Sequence, residues 1–99
     1  MNSRNKGKNG ELEFSKWLRD KGYQAIRSQQ YCGKAGDADL ITNIKNVYLD
    51  VKRVEKLNID KAMEKAIKEA NGKIPIIVHR KNRKEWLVTL RAEDYFKGE

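Results

Sequence analysis

The chain holds one cysteine, one proline and one histidine, and no apolar run approaches the length of a membrane span. With Cys32 alone no internal disulfide can form, which suits a reducing compartment, and no neighbouring base marks Cys32 as reactive. The opening MNSRNKGKNG is basic and polar with no apolar segment behind it, so no secretory signal is expected. An intracellular protein is expected, cytoplasmic or nucleoid-associated, with a viral origin left open and no membrane partner. The solitary His79, at the head of HRKNRK, reads as a surface residue rather than a catalytic one. Acids are also scarce relative to bases: 14 Asp and Glu against 22 Lys and Arg give a net charge of +8. That balance points to a polyanionic partner, nucleic acid first, although some basic small proteins are merely soluble.

What is present fits one domain over residues 1–99, with 38% apolar residues for a modest core and 36% charged residues for the surface. Residues 1–8 read as a mobile basic arm. Asn9 is placed to cap a helix over 10–21, ended by Gly22, with Phe14, Trp17 and Leu18 as its apolar stripe. Both tryptophans, Trp17 and Trp86, sit in apolar patterns that suit a core. Strands are predicted over 23–27, 38–44 and 47–53, the last two pairing antiparallel as a hairpin around Lys45 and Asn46. Ile59, Ala62, Met63, Ala66, Ile67 and Ala70 recur at helical spacing within 58–71, and Gly72 closes that pattern. Strands over 74–78 and 85–90 and a short helical tail complete the order helix, three strands, helix, two strands. The class is α/β, with a mixed central sheet flanked by helices.

Within GDADLITNIKNVYLDVKR, residues 36–53, two short apolar runs keep Asp39, Asp50 and Lys52. Burying an unpartnered charge costs several kcal/mol, so these three ask for a reason. Alternation along a strand puts Asp50 and Lys52 on one face and Leu49, Val51 and Arg53 on the other. A hairpin would set Asp39 across from Asp50, where two carboxylates can hold a hard cation that takes oxygen ligands, such as magnesium. A neighbouring ammonium would orient water and stabilise charge growing on a phosphorus centre, which is phosphodiester hydrolysis chemistry. Taken alone, D-x-K describes an exposed strand face just as well. A further carboxylate, Glu11, falls beside the apolar stripe of the first helix, whereas Glu13 falls among that helix's charged residues.

GDADLI followed by YLDVK in this element order resembles the PD-(D/E)XK nuclease superfamily and its restriction-endonuclease-like core, with Ala38-Asp39-Leu40 standing where Pro-Asp-Leu is frequent. KGKNGELEFSKWLRDKGY, residues 6–23, is similar to the opening helix of the archaeal-type Holliday-junction resolvases, where a Lys-Gly pair precedes an acid and a Lys-Gly-aromatic ends the helix. The resemblance implies that Glu11, Asp39 and Asp50 hold Mg²⁺, with Mn²⁺ as a substitute, and that Lys52 is the catalytic lysine. Asp37 is the rival of Asp39. Asp50 stands where the resolvases usually have glutamate, and the hairpin is shorter than theirs by an even number of residues, which keeps the facing of the acids. The function implied is structure-selective DNA cleavage at four-way junctions by a symmetric homodimer, with recombination or repair as its setting. A less selective nickase and a non-catalytic binding module are the alternatives. Phosphate contacts are expected from Arg80, Lys81, Arg83 and Lys84 in the last basic turn, from Arg4, Lys6 and Lys8 in the arm, and from Arg27, Lys34 and Arg53.

Overall fold

The structure, a computed structural model, describes residues 3–28 and 39–97, with side chains from residue 8 onward. Arg4 and Lys6 therefore enter only as backbone, and Cys32, Lys34 and Asp37 lie outside the described residues.

Helix α1 spans Ser3–Asp20, so it opens well before the Asn9 cap expected from sequence and takes in residues 3–8 of the supposed arm. Those residues include no proline, and an asparagine or glycine inside a helix costs only about 1 kcal/mol or less, too little to stop it. Gly10 has a structural reason to be glycine: a Cβ there would lie 2.8 Å from the Cβ of Arg53, so its bare backbone lets α1 close onto the sheet. The helix ends as its sequence suggests. Gly22 takes φ +101°, and the N–H groups of Gly22 and Tyr23 donate to the carbonyls of Arg19 and Leu18, each at 3.0 Å.

Five strands and two further helices follow: β1 (Ala25–Arg27), β2 (Leu40–Thr42), β3 (Val47–Arg53), α2 (Ile59–Glu69), β4 (Ile74–Arg80), β5 (Leu87–Thr89) and α3 (Ala92–Phe96). β3 and β4 run parallel across the α2 crossover, from Val47 opposite Ile74 to Arg53 opposite Arg80, and β5 joins β4 antiparallel. The expected antiparallel ladder between β2 and β3 is not formed. β2 pairs with β1 instead, Ile26 opposite Ile41, and meets β3 through Asp39, whose N–H donates to the Leu49 carbonyl at 3.0 Å. Asn43 shows why. Its N–H donates to the Gln24 carbonyl while its side chain accepts from Gln24 N–H, extending the β1–β2 ladder past Thr42. The Ile44 N–H turns back to the Thr42 hydroxyl rather than across to β3.

Alternation along β3 and β4 supplies two apolar faces. Leu49, Val51 and Val78 pack with Phe14 and Leu18 of α1 and with Ala25 and Leu40. Tyr48 and Ile77 pack on the other side against Ala62 and Ala66 of α2 and its C-terminal cap Ala70, and Asn58 caps the N-terminus of that helix by accepting from Lys61 N–H. Three alanines on one stripe bring α2 close to the sheet, and the Tyr48 hydroxyl donates to Glu69 at 2.7 Å to fasten it. Trp17 departs from its expected core place: it is 41% exposed, stacked on Phe14 with the Lys21 ammonium 5.1 Å from its ring. Trp86 is half-buried against Phe14. Leu87, Val88, Tyr95 and Phe96 remain exposed on β5 and α3. Among the described residues no helix is long and apolar enough to cross a membrane.

Candidate active site

β3 delivers Asp50 and Lys52 on the face opposite Leu49 and Val51, and their side chains meet as an ion pair at 3.5 Å. Asp50 is buried while Lys52 is only partly so, which leaves the lysine side chain within reach of solvent. His79 lies opposite Lys52 in the parallel ladder, its ring hydrogen-bonded to the Thr89 hydroxyl at 2.9 Å. Burial lowers its pKa, so its neutral form is favoured.

Asp39 enters from the approach to β2. Its Oδ2 accepts from the Val51 N–H at 2.8 Å, and its own N–H and carbonyl bond to Leu49 and Ser28, so backbone on three sides fixes it against β3. This is the hairpin's purpose without the hairpin's ladder: Asp39 reaches Asp50 although β2 and β3 do not pair. Burial pushes the Asp39 carboxyl up from 3.8 to about 7; the Val51 N–H opposes that rise, and the charges of Asp50 and Glu11 add to it, as does a hydrogen bond with Asp50. Two adjoining carboxylates in a half-buried place need either a shared proton or a cation between them. Their oxygen donors suit a hard divalent ion such as Mg²⁺.

Glu11 is near enough for its charge to act on Asp39, yet it does not complete the set. Its Oε1 accepts from Arg27 Nε at 2.8 Å in a largely enclosed ion pair. Among the described residues, no three Asp, Glu, His or Cys side chains gather as a ready-made cation site.

The basic residues divide into two kinds. Arg53 and Arg80 both bond to Glu13, at 3.2 and 3.0 Å, and Arg80 also donates to the Lys84 carbonyl and lies over the Trp86 ring. Arg53 donates further to Asn82. These arginines stitch α1 to the ends of β3 and β4, a role that linear sequence did not signal because Glu13 and Arg80 stand 67 positions apart. Lys81, Arg83 and Lys84 are exposed in the following turn, where Arg83 adopts a left-handed φ of 64°, and Lys8 is exposed on α1. The turn borders a cleft of about 610 Å³ lined by His79, Arg80, Lys81, Arg83, Lys84 and Leu87, with Glu85 as its one acid.

No family model matches the chain, and no curated protein matches it. Solved structures do match. One is that of Archaeoglobus fulgidus Hjc, a Holliday junction resolvase from an archaeal hyperthermophile, with a TM-score of 0.58, 19% identity, and coverage of 81% of this chain and 72% of that one. The chain thus has a resolvase-like α/β fold: a mixed sheet flanked by helices, carrying two carboxylates and a lysine at the meeting point of β2 and β3.

Proposed function

We propose that this chain is a metal-dependent, structure-selective DNA endonuclease that resolves four-way junctions. The observation that carries the reading is Asp39 against Asp50, with Lys52 on the same strand face, in a resolvase-like fold of net charge +8. Asp39 and Asp50 would hold the divalent ion, with Glu11 as a third ligand, and a bound Mg²⁺ would supply Lewis-acid activation of water and of the scissile phosphate. Lys52 places its ammonium beside Asp50, where it orients the attacking water and stabilises the charge that grows on phosphate oxygens. Lys81, Arg83, Lys84 and Lys8 supply exposed cations for the DNA backbone, contacts that position a duplex without reading its sequence. Two-fold pairing of chains would set two such sites for matched nicks, and the exposed Leu87, Val88, Tyr95 and Phe96 offer apolar surface for it.

A binding module without activity is disfavoured by the acids themselves. Buried carboxylates weaken the attraction of a polyanion and are costly to keep near one another without a cation. The deciding experiment incubates labelled four-way junction, flap and linear duplex with Mg²⁺ or EDTA, using the native chain and Asp39→Asn and Lys52→Ala variants. Paired symmetric nicks confined to the junction, absent with EDTA and in both variants, are expected. Cleavage of all three substrates would make it a general nickase, and binding without metal-dependent cleavage would overturn the enzyme reading.

A further inference from the structure

Glu11 and Arg27 stand out from the other ion pairs among the described residues. Both side chains are more than four-fifths buried, and the pair lies beside Asp39 and Asp50, whose counter-charge is the looser 3.5 Å contact of Asp50 with the partly exposed Lys52. The two partners come from different elements. Arg27 belongs to β1, where it stands opposite Leu40 in the ladder, and the next residue, Ser28, donates its N–H to the Asp39 carbonyl at 3.0 Å. The Arg27 backbone is thus fixed by the same strand pair that fixes Asp39. Glu11 reaches the guanidinium from α1 by a side chain with three rotatable bonds, and its charge already acts on Asp39, so a turn of that side chain exchanges the guanidinium for the acid pair.

We propose that Arg27 is a positioning residue, a latch that holds Glu11 away from the Asp39–Asp50 pair until a divalent cation binds there and draws Glu11 in. The inference rests on the metal-dependent reading above and adds to it the reason why the described acids do not form a three-ligand set. Without a cation, a third carboxylate turned toward Asp39 and Asp50 would add its charge to a half-buried place that already holds at least one like charge. Arg27 relieves that repulsion by giving Glu11 an opposite charge and a charge-assisted hydrogen bond of 2.8 Å. A cation at the acid pair reverses the balance, because it offers Glu11 a stronger and equally enclosed partner. The latch therefore lowers affinity for the metal in the free protein, since part of the binding energy goes into opening the ion pair.

The test titrates Mn²⁺ alone into the full chain and follows the free ion by electron paramagnetic resonance. Arg27→Gln should tighten Mn²⁺ binding about tenfold, the worth of one charge-assisted hydrogen bond that no longer has to be broken. In a Glu11→Gln background the same substitution should change affinity by no more than about twofold, because the ligand that Arg27 restrains is gone. An equal gain in both backgrounds would show only the removal of a nearby positive charge and would overturn the latch, as would weaker binding by Arg27→Gln. If Arg27→Gln unfolds, Arg27→Lys keeps the charge but loses the planar contact. The latch expects it to bind Mn²⁺ more tightly than the native chain, and unchanged or weaker binding counts against it. Asp39→Asn separates the two readings: if it binds Mn²⁺ as the native chain does, the metal site itself falls and the latch with it. Loss of binding in Asp39→Asn beside a background-independent effect of Arg27→Gln removes the latch alone.

Discussion

Glu11 and Glu13 stand two residues apart on α1, and each meets arginine, but in surroundings that give the two meetings different meanings. Glu13 is exposed and shared between Arg53 and Arg80, so water and salt screen its charges, and it ties a helix to two strand ends. Glu11 is enclosed with one arginine beside two further carboxylates, where a lost partner would leave a charge stranded. Helix periodicity separates them, sending one toward the acids and the other toward the rim. Ion pairs of similar length thus differ in kind, and burial together with the neighbouring charges decides which is a screened surface tie and which an enclosed pair that is costly to break.

That contrast can be broken at the inner end first. Lys52→Ala and Asp39→Asn should each lower the rate of DNA cleavage by about 10²–10³-fold or more, read in single-turnover assays, whereas Glu13→Gln should leave it within about threefold. Just before the two glutamates lies the contact that seats α1. Gly10→Ala puts a Cβ against the Arg53 Cβ and should cost about 1–3 kcal/mol in urea denaturation; an unchanged midpoint would mean that α1 does not need this close approach. A third measurement uses pH. Because the Asp39 carboxyl is raised from 3.8 to about 7, the folded chain in that interval keeps a proton that the unfolded chain has released. Stability should therefore fall as pH rises between about 4 and about 7 and level off above, and Asp39→Asn should flatten the slope. Millimolar Mg²⁺ should raise the melting temperature at pH 8 and do little at pH 5, where the proton already fills the cation's place. Smallest is the outer cluster: Glu13→Gln should cost at most about 1 kcal/mol, and 0.5 M salt should shrink even that, as an exposed ion pair requires.

How far the molecule could be read beforehand depended on whether a feature is local. β3 falls at Val47–Arg53 as alternation and composition said, and α2 begins after Asn58 because cap and apolar spacing agree. The Gly22 terminus was equally legible, since a left-handed residue after a helix leaves a glycine in the text. Partners were less so. Alternation states which way a side chain faces but not which strand it lies beside, and the Gln24–Asn43 bonds that commit β2 to β1 join residues far apart in sequence. Trp17 misled because an apolar position on a helix stripe reads as core, whereas here it stacks on Phe14 with its outer side left to solvent. In the site, the even spacing of Asp50 and Lys52 and the apolar step after Asp39 were visible. The Arg27 partner of Glu11 and the two arginines on Glu13 were not, because a charge carries no address in the sequence.

The parallel pairing of β3 with β4 also bears on the order of manufacture. Asp39, Asp50 and Lys52 all precede α2, but the strand that carries two of them has its ladder with β4, on the far side of that helix. A chain emerging from the ribosome presents these acids on a strand still lacking its neighbour, and long-range pairing must wait for residues up to Arg80 to arrive. The Glu13–Arg80 stitch and the Phe14–Trp86 ring contact close wider spans still. A half-made chain therefore does not hold half of this site: the charged face exists early, and the ladder that holds its strand exists only when the second half of the domain has closed over the first.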